Sequence, residues 1–343
     1  MSVPRTHTVT LPPDVGLVLI GRNEGQRLVR ALERLGTQPA RCVYVDSGST
    51  DGSVANVASR DIAVVELDES APFTAARARN TGFRYLSERW PETQYVMFLD
   101  GDCVLHLDWL ETAAAAFRGD DRLGVATGVL REVNPDASVY NRLCDMEWNG
   151  PVGPIDACGG NAMIRAEAYR AAGGMRTDLI AGEEAELHLR LRQAGWKVVR
   201  LDAPMAHHDA ELFHFSQWWK RSIRSGHACA EGAFLHGEGP EAHQTKEVRS
   251  NWFWGLAVPA ASVGLLAPTL GLSTALVGVG YPVLYGKVLK NQLEQGKTLA
   301  DAELYARYTV LGKVPQALGQ LTFWVNRARG KRAKLYEYKD THV

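Results

Sequence analysis

Residues 15–20 form an uninterrupted apolar run, the pattern of a strand buried on both faces. Residues 24–35 follow with Leu28, Ala31, Leu32 and Leu35 at helical spacing. The unit then repeats. Residues 42–45 with Asp46 predict a second strand, Ser47-Gly48-Ser49-Thr50-Asp51-Gly52 a turn leading into a helix, and residues 62–67 a third strand. A helix is expected over 75–88, a fourth strand over 95–99 ending at Asp100-Gly101-Asp102, and a helix over 109–117. Strands alternating with helices over about 120 residues imply an α/β domain with a mainly parallel sheet, whose ligands sit at the carboxyl ends of its strands.

The second half is less regular. Residues 123–130, 162–165 and 197–201 read as strands, and 183–194 as a helix with Leu187, Leu191 and Ala194 on one side. Residues 134–155 are taken as a variable segment that, together with loops, shapes the pocket. Further helices are expected over 299–311 and 316–326.

From 250 to 286 there is no Asp, Glu, Lys, Arg or His. Trp252 and Trp254 open this run, Tyr281 and Tyr285 lie near its end, and Arg249 and Lys287 bracket it, as at a membrane interface. Pro259, Pro268 and Pro282 interrupt it, which suits a re-entrant hairpin or two short helices better than a single span. A buried helical hairpin is the alternative. Residues 327–334 hold five basic side chains, a tail suited to an anionic membrane surface or simply to solvent.

Composition narrows the class. Of 343 residues 45% are hydrophobic and 22% charged, values of a folded soluble core rather than of a disordered chain or polytopic transporter. The formal charge of −1 gives no global field for nucleic acid. Five scattered cysteines with no C-x-x-C pair argue against a disulfide framework or structural zinc. Residues 1–14 are polar and contain Pro4, Pro12 and Pro13, so the main domain is expected to face the cytoplasm.

The turn Gly21-Arg22-Asn23-Glu24-Gly25 lacks the glycine spacing of a dinucleotide fold, and no Walker A sequence occurs, which disfavours dehydrogenases and P-loop kinases. Asp100-Gly101-Asp102 at a strand end offers oxygen ligands for Mg or Mn. Gly182-Glu183-Glu184 opens a helix whose dipole favours ionised carboxylates, one of which can accept a hydroxyl proton. His207-His208-Asp209 supplies an imidazole, and Trp148 reads either as a sugar-stacking ring or as a partly buried tryptophan. Lys220, Arg221 and Arg224 lie at helical spacing, able to face a diphosphate or a lipid phosphate.

In their order these motifs, with Ala76-Arg77-Ala78-Arg79-Asn80-Thr81-Gly82 and Gly159-Gly160-Asn161-Ala162, resemble family 2 glycosyltransferases over residues 15–210. The resemblance implies a GT-A fold, a Rossmann-like sheet flanked by helices, with a C-terminal helical membrane-associated region; residues 1–230 would be catalytic and 231–343 the membrane-associating part with its basic tail. It implies a nucleotide-sugar donor, a UDP-sugar in the first instance, a lipid-linked or glycan hydroxyl acceptor, inversion at the anomeric carbon, and Mg or Mn. It assigns Glu24, Asp46, Arg79 and Asp100 to the donor, Asp102, Asp100 and His208 to the metal, Asn161 and Trp148 to the acceptor, and Glu184, with Glu183 beside it, to catalysis. Arg221 and Arg224 are added as donor contacts. Where the family often has Glu-Asp, this chain has Glu183-Glu184, so a longer side chain stands at the base position. The processive pattern Gln-x-x-Arg-Trp is not met by Gln217 to Arg221. The expected location is the cytoplasmic face of the inner membrane, without nucleic-acid partners. A sugar-nucleotide nucleotidyltransferase would want a basic glycine-rich loop after the first strand, where only Arg22 stands. A non-catalytic sugar-nucleotide-binding scaffold has no need of carboxylates at 102 and 184.

Overall fold

The computed structural model describes residues 8–36 and 39–331. The chain divides into two compact units, the first comprising the described residues of Met1–Asn134, Glu147–Asp178 and Glu183–Ala210. Its strands are β1 (Val15–Gly21), β2 (Cys42–Asp46), β3 (Ala63–Glu66), β4 (Tyr95–Asp100), β5 (Cys103–Leu105), β6 (Leu123–Glu132), β7 (Gly153–Pro154), β8 (Ala162–Arg165) and β9 (Lys197–His208). They form one sheet in the order β3-β2-β1-β4-β8-β6-β9-β5, with β7 paired to β9. The first four in that order are parallel, while β8 runs antiparallel to both β4 and β6.

Strand alternation explains why the runs are apolar throughout. Leu17, Leu19, Tyr44, Met97 and Leu99 enter one core cluster, while Val18, Ile20, Val43, Val45, Val96 and Phe98 enter another. Helices α1 (Gln26–Leu35) and α4 (Trp109–Gly119) contribute Leu28, Leu32, Trp109 and Phe117 to the first cluster. The second cluster takes Ala78 and Phe83 from α3 (Ala75–Arg89), and Leu187 and Leu191 from α7 (Glu183–Gln193). Short helices α2 (Ser53–Ala58) and α6 (Ala166–Ala171) complete the connections. A Cβ at Gly82 would lie 2.3 Å from Val18 Cγ1, so glycine there lets α3 settle close on β1. Register aligns the carboxyl ends: Gly21 pairs with Asp46, and Ile20 with Asp100. Three chemistry-bearing turns therefore emerge side by side.

Strand β9 is longer than the expected 197–201. It continues through Pro204, where pairing with β6 slips between Thr127 and Leu130. The extension carries His208 into register with Cys103 of β5. The irregular register accommodates the proline within the strand.

The second unit comprises the described residues of Pro135–Met146, Leu179–Gly182 and Glu211–Val343. Its helices are most of α5 (Val139–Trp148), α8 (Phe215–His236), α9 (Thr245–Trp252), α10 (Val258–Gly264), α11 (Ala275–Glu294) and α12 (Leu299–Ala328). The division thus falls near residue 210 rather than 230, because α8 packs along α12. Cβ atoms at Gly226 and Gly319 would lie 2.0 Å from the carbonyl oxygens of Gln316 and Ile223, so the two backbones touch. Tyr140 stacks on Trp218, and Tyr308 meets both rings edge-on. The segment 134–155, expected to help shape the pocket, contains α5. The two helices expected over 299–326 are one helix running through buried Pro315.

In the uncharged run, Pro259 lies at the start of α10, whereas Pro282 lies inside α11 without ending it. The result is a helical hairpin whose apolar side chains are largely outside: Val263 is 75% exposed, Leu270 94% and Leu272 78%. A buried hairpin is not what this unit contains. Residues 332–334 of the basic tail lie outside the described residues.

Candidate active site

The turn after β1 is tied to the turn after β2. Asn23, at φ 53°, accepts from the Thr50 amide through Oδ1 at 2.7 Å, and its own amide donates to Ser49 Oγ at 2.9 Å. The Gly25 amide donates to Asp51 at 2.8 Å. Asp51 also accepts from Ser53, and these amide and hydroxyl donors hold its carboxyl below the ordinary range although burial opposes them. Asp46 is fully buried. Its oxygens accept from the Gly48 and Ser49 amides at 2.9 and 2.7 Å, and from the Tyr44 and Ser49 hydroxyls at 3.0 and 2.5 Å. Asp46, expected at the donor, is thus the organiser of its own turn. Glu24 pairs with Arg27 at 2.9 Å.

Arg79 lies at the centre of a second group. Its guanidinium meets Asp100 Oδ1 at 2.7 Å, Glu184 Oε1 at 2.9 Å and Glu183 Oε1 at 3.7 Å. Burial works against this cation, yet the three carboxylates outweigh it and raise its pKa above the usual arginine value. Arg79 was expected as a nucleotide or diphosphate contact; its side chain is 3% exposed, and its terminal nitrogens on Asp100 and Glu184 fix those two carboxylates relative to one another. Asn161 completes the clamp, accepting from the Asp100 amide at 2.8 Å and donating to Asp100 Oδ2 at 3.1 Å. Asn161 was expected at an acceptor, and here it holds Asp100. A Cβ at Gly160 would fall 1.7 Å from Arg79 Nη2, and one at Gly101 would fall 3.1 Å from Glu24 Cγ. Both motif glycines are therefore close-approach positions.

Glu183 and Glu184 begin α7, where neighbours point about 100° apart. The Glu183 side chain is 5% exposed and that of Glu184 19%, so Glu184 is the more open to a ligand. One turn on, buried His188 accepts from the Cys158 amide at 3.3 Å. Burial, helped by Arg192 and Arg79, lowers the His188 pKa to about 3. Burial raises the Cys158 thiol to about 12, with Glu184 adding to the effect.

The third group forms around Asp102. His208 Nε2 lies 3.1 Å from Asp102 Oδ2, and Cys103 Sγ lies 3.6 Å from Asp102 Oδ1. One ligand atom from each of the three residues falls within 4.8 Å of the others. Trp148 stacks on the His208 ring at 4.3 Å between centroids, so one face of the expected sugar platform is engaged in holding the imidazole. Asp209 accepts from Arg30 at 2.6 Å, and its amide donates to the Asp102 carbonyl, anchoring the end of β9. His207 is exposed, which supports the choice of His208. Asp100, expected as a metal ligand, is not one of the three converging residues; its oxygens accept from Arg79 and Asn161.

Arg221 and Arg224 belong to α8 in the second unit and are half-buried there. Sequence reasoning missed Cys103, His188 and Cys158. Cys103 follows the aspartate motif directly and His188 stands four residues after Glu184, but neither spacing distinguishes a site residue from a core residue.

Residues 17–172 match the model of the family described as Glycosyl transferase family 2. The chain is 27% identical over 196 residues to the succinoglycan biosynthesis protein ExoA of Rhizobium meliloti, a match covering 52% of this chain and 58% of that protein. It is 28% identical over 238 residues to the pre-mycofactocin glycosyltransferase of Mycobacterium tuberculosis, covering 65% of this chain and 48% of that protein. The chain spans about half the length of these curated relatives. In structure it is similar to the mannosyltransferase PcManGT of Pyrobaculum calidifontis in complex with GDP-Man and Mn2+, at 20% identity and a TM-score of 0.58, covering 92% of this chain and 89% of that one. That likeness is one of fold, and it bears out the α/β, GT-A type sheet flanked by helices.

Proposed function

From the membership of residues 17–172 in glycosyl transferase family 2, we propose that the chain is an inverting glycosyltransferase. It moves a sugar from a nucleotide-sugar, a UDP-sugar in the first instance, to a lipid-linked or envelope-glycan hydroxyl. The observation that carries the reading is the Arg79-centred carboxylate cluster at the strand ends, whose Asp100 stands two residues before Asp102 of the converging Asp102–His208 pair. Chemistry at this place needs a base for the acceptor and a counter-charge for the leaving diphosphate. Glu184 is the base: it takes the hydroxyl proton as that oxygen attacks the anomeric carbon opposite the leaving group, a contribution of roughly 100- to 10,000-fold. Arg79 holds Glu184 against Asp100, so the carboxylate meets the acceptor already oriented. The strand-end turns joined by Asn23 and Asp51 receive the nucleotide.

Asp102 and His208 fit a divalent cation, Mg or Mn, because an oxygen and an imidazole nitrogen converge there. When bound, such an ion supplies positive charge where the diphosphate gains negative charge. A neighbour in fold solved with GDP-Man and Mn2+ supports both the donor class and the cation.

The reading includes the cytoplasmic face of a membrane. The helix Leu272–Glu294 has a mean hydropathy of 1.3 over its most apolar window, of which 6% is buried. With Arg249 before the uncharged run and Lys287 at its end, the α10–α11 hairpin suits insertion into one leaflet.

Full-length protein is incubated with radiolabelled nucleotide-sugars, Mg2+ or Mn2+, and a membrane lipid extract. Free nucleoside diphosphate with a labelled product is the expected result. Formation of a sugar nucleotide from a nucleoside triphosphate would replace the reading with the nucleotidyltransferase, and donor binding without turnover would replace it with the scaffold.

A further inference from the structure

Cys103 is a motif neighbour that the function above leaves unused, a member of the first core cluster that also borders the site. It is fully buried at the start of β5, directly opposite His208 on β9, so the two side chains share a face of the ladder. Asp102 lies between them. One of its oxygens is 3.1 Å from His208 Nε2 and the other 3.6 Å from Cys103 Sγ. These separations run to different Asp102 oxygens, and one ligand atom from each of the three residues lies within 4.8 Å of the others; a tetrahedral cation, whose ligands stand about 3.4 Å apart, would draw them together by about 1 Å. The imidazole is braced by Trp148 stacked at 4.3 Å, and Asp102 is 4% exposed. Asp102 and Cys103 are thus nearly dry, and His208, with its side chain 16% exposed, is the most open of the three.

We propose that Cys103 joins Asp102 and His208 as a third cation ligand, giving a carboxylate, thiolate and imidazole site that prefers thiophilic divalent ions of the zinc class over Mg2+. The proposal rests on the reading of Asp102 and His208 as cation ligands. Two oxygen and nitrogen donors alone would accept Mg2+ or Mn2+; a sulfur donor tilts the site toward Zn2+, Co2+ and Cd2+. Binding replaces the thiol proton, which passes to solvent, with a sulfur–metal bond. The consequence is cation discrimination: Mg2+ and Mn2+ are held through oxygen and nitrogen, whereas Zn2+ and Cd2+ are held more tightly and compete with them.

The test is a titration of full-length protein with Co2+, following thiolate-to-metal charge-transfer absorption, alongside calorimetry with Mn2+ and Zn2+. The expected result is a saturable band in the wild type that is lost in both Cys103→Ala and His208→Gln. In Cys103→Ala, Zn2+ affinity should fall roughly 10- to 100-fold while Mn2+ affinity changes little. Because His208→Gln keeps Cys103, it tests the same band should Cys103→Ala fail to fold. A band that survives in Cys103→Ala, or wild-type protein that binds Mn2+ but gives no band with Co2+, overturns the thiol ligand. In the second case Mn2+ binding lost in Asp102→Asn leaves the Asp102 and His208 reading standing. Mn2+ binding unchanged in Asp102→Asn overturns both.

Discussion

Arg79 is a buried cation that three carboxylates make affordable, and the glycine beside it is part of the same arrangement. Gly160→Ala would drive a Cβ to within 1.7 Å of the guanidinium, so Arg79 must leave its partners or the β8 approach must shift. The variant should lose about 1–3 kcal/mol of stability, read from the urea midpoint, together with most turnover. An unchanged midpoint would mean that the clamp tolerates displacement. His188 makes a separate prediction. Its folded pKa of about 3 lies below the ordinary 6.5, so the unfolded chain takes up the proton first; the stability it contributes is complete above pH 6.5 and is lost as pH falls toward 3. The slope from this group is at most about 1.4 kcal/mol per pH unit. Urea midpoints at pH 7 and pH 5 should therefore differ less in His188→Gln than in wild type, and equal differences would contradict the assignment. At this scale Asp102, Glu184 and His208 were legible because each carries its chemistry in its side chain and stands at a strand or helix end. Cys103 was not, since only cross-strand register sets it opposite His208. Asp46 and Arg79 were legible as important residues but not as residues spent on other protein groups, which depends on partners far away in sequence.

The elements were legible wherever burial is two-sided and continuous. β1, β2 and β4 announce themselves as apolar runs, and α3 lies where its periodicity sets it. β9 runs past the expected 197–201 because its continuation through Pro204 depends on a slipped pairing with β6, which is a tertiary property. In the same way Pro282 and Pro315 remain inside α11 and α12. Close helix packing makes α8 and α12 sensitive: Gly319→Val should lower the thermal midpoint, because even a Cβ would meet the Ile223 carbonyl at 2.0 Å. A midpoint equal to wild type would contradict that backbone contact. The α10–α11 hairpin gives a surface prediction. Replacing Leu270 and Leu272, 94% and 78% exposed, with Ser should reduce co-sedimentation with anionic lipid vesicles about tenfold or more. Equal sedimentation of variant and wild type would argue that this hairpin does not enter lipid.

Across the whole molecule, a formal charge of −1 hides local concentrations of both signs: carboxylates around Arg79 and basic residues flanking the uncharged run. The α/β class followed from alternation alone, but the division near residue 210 did not, because α8 reads as a basic aromatic helix and reveals its allegiance only by packing on α12. The central claim is that the strand-end carboxylates perform sugar transfer with Glu184 as the base. Its most direct measurement is the rate of labelled-sugar transfer at saturating donor by wild type, Glu184→Gln and Glu183→Gln, with donor affinity measured on the same preparations. The account predicts a fall of roughly 100-fold or more in kcat for Glu184→Gln, little change in its donor affinity, and a smaller loss for Glu183→Gln. Full turnover by a folded Glu184→Gln protein would contradict it.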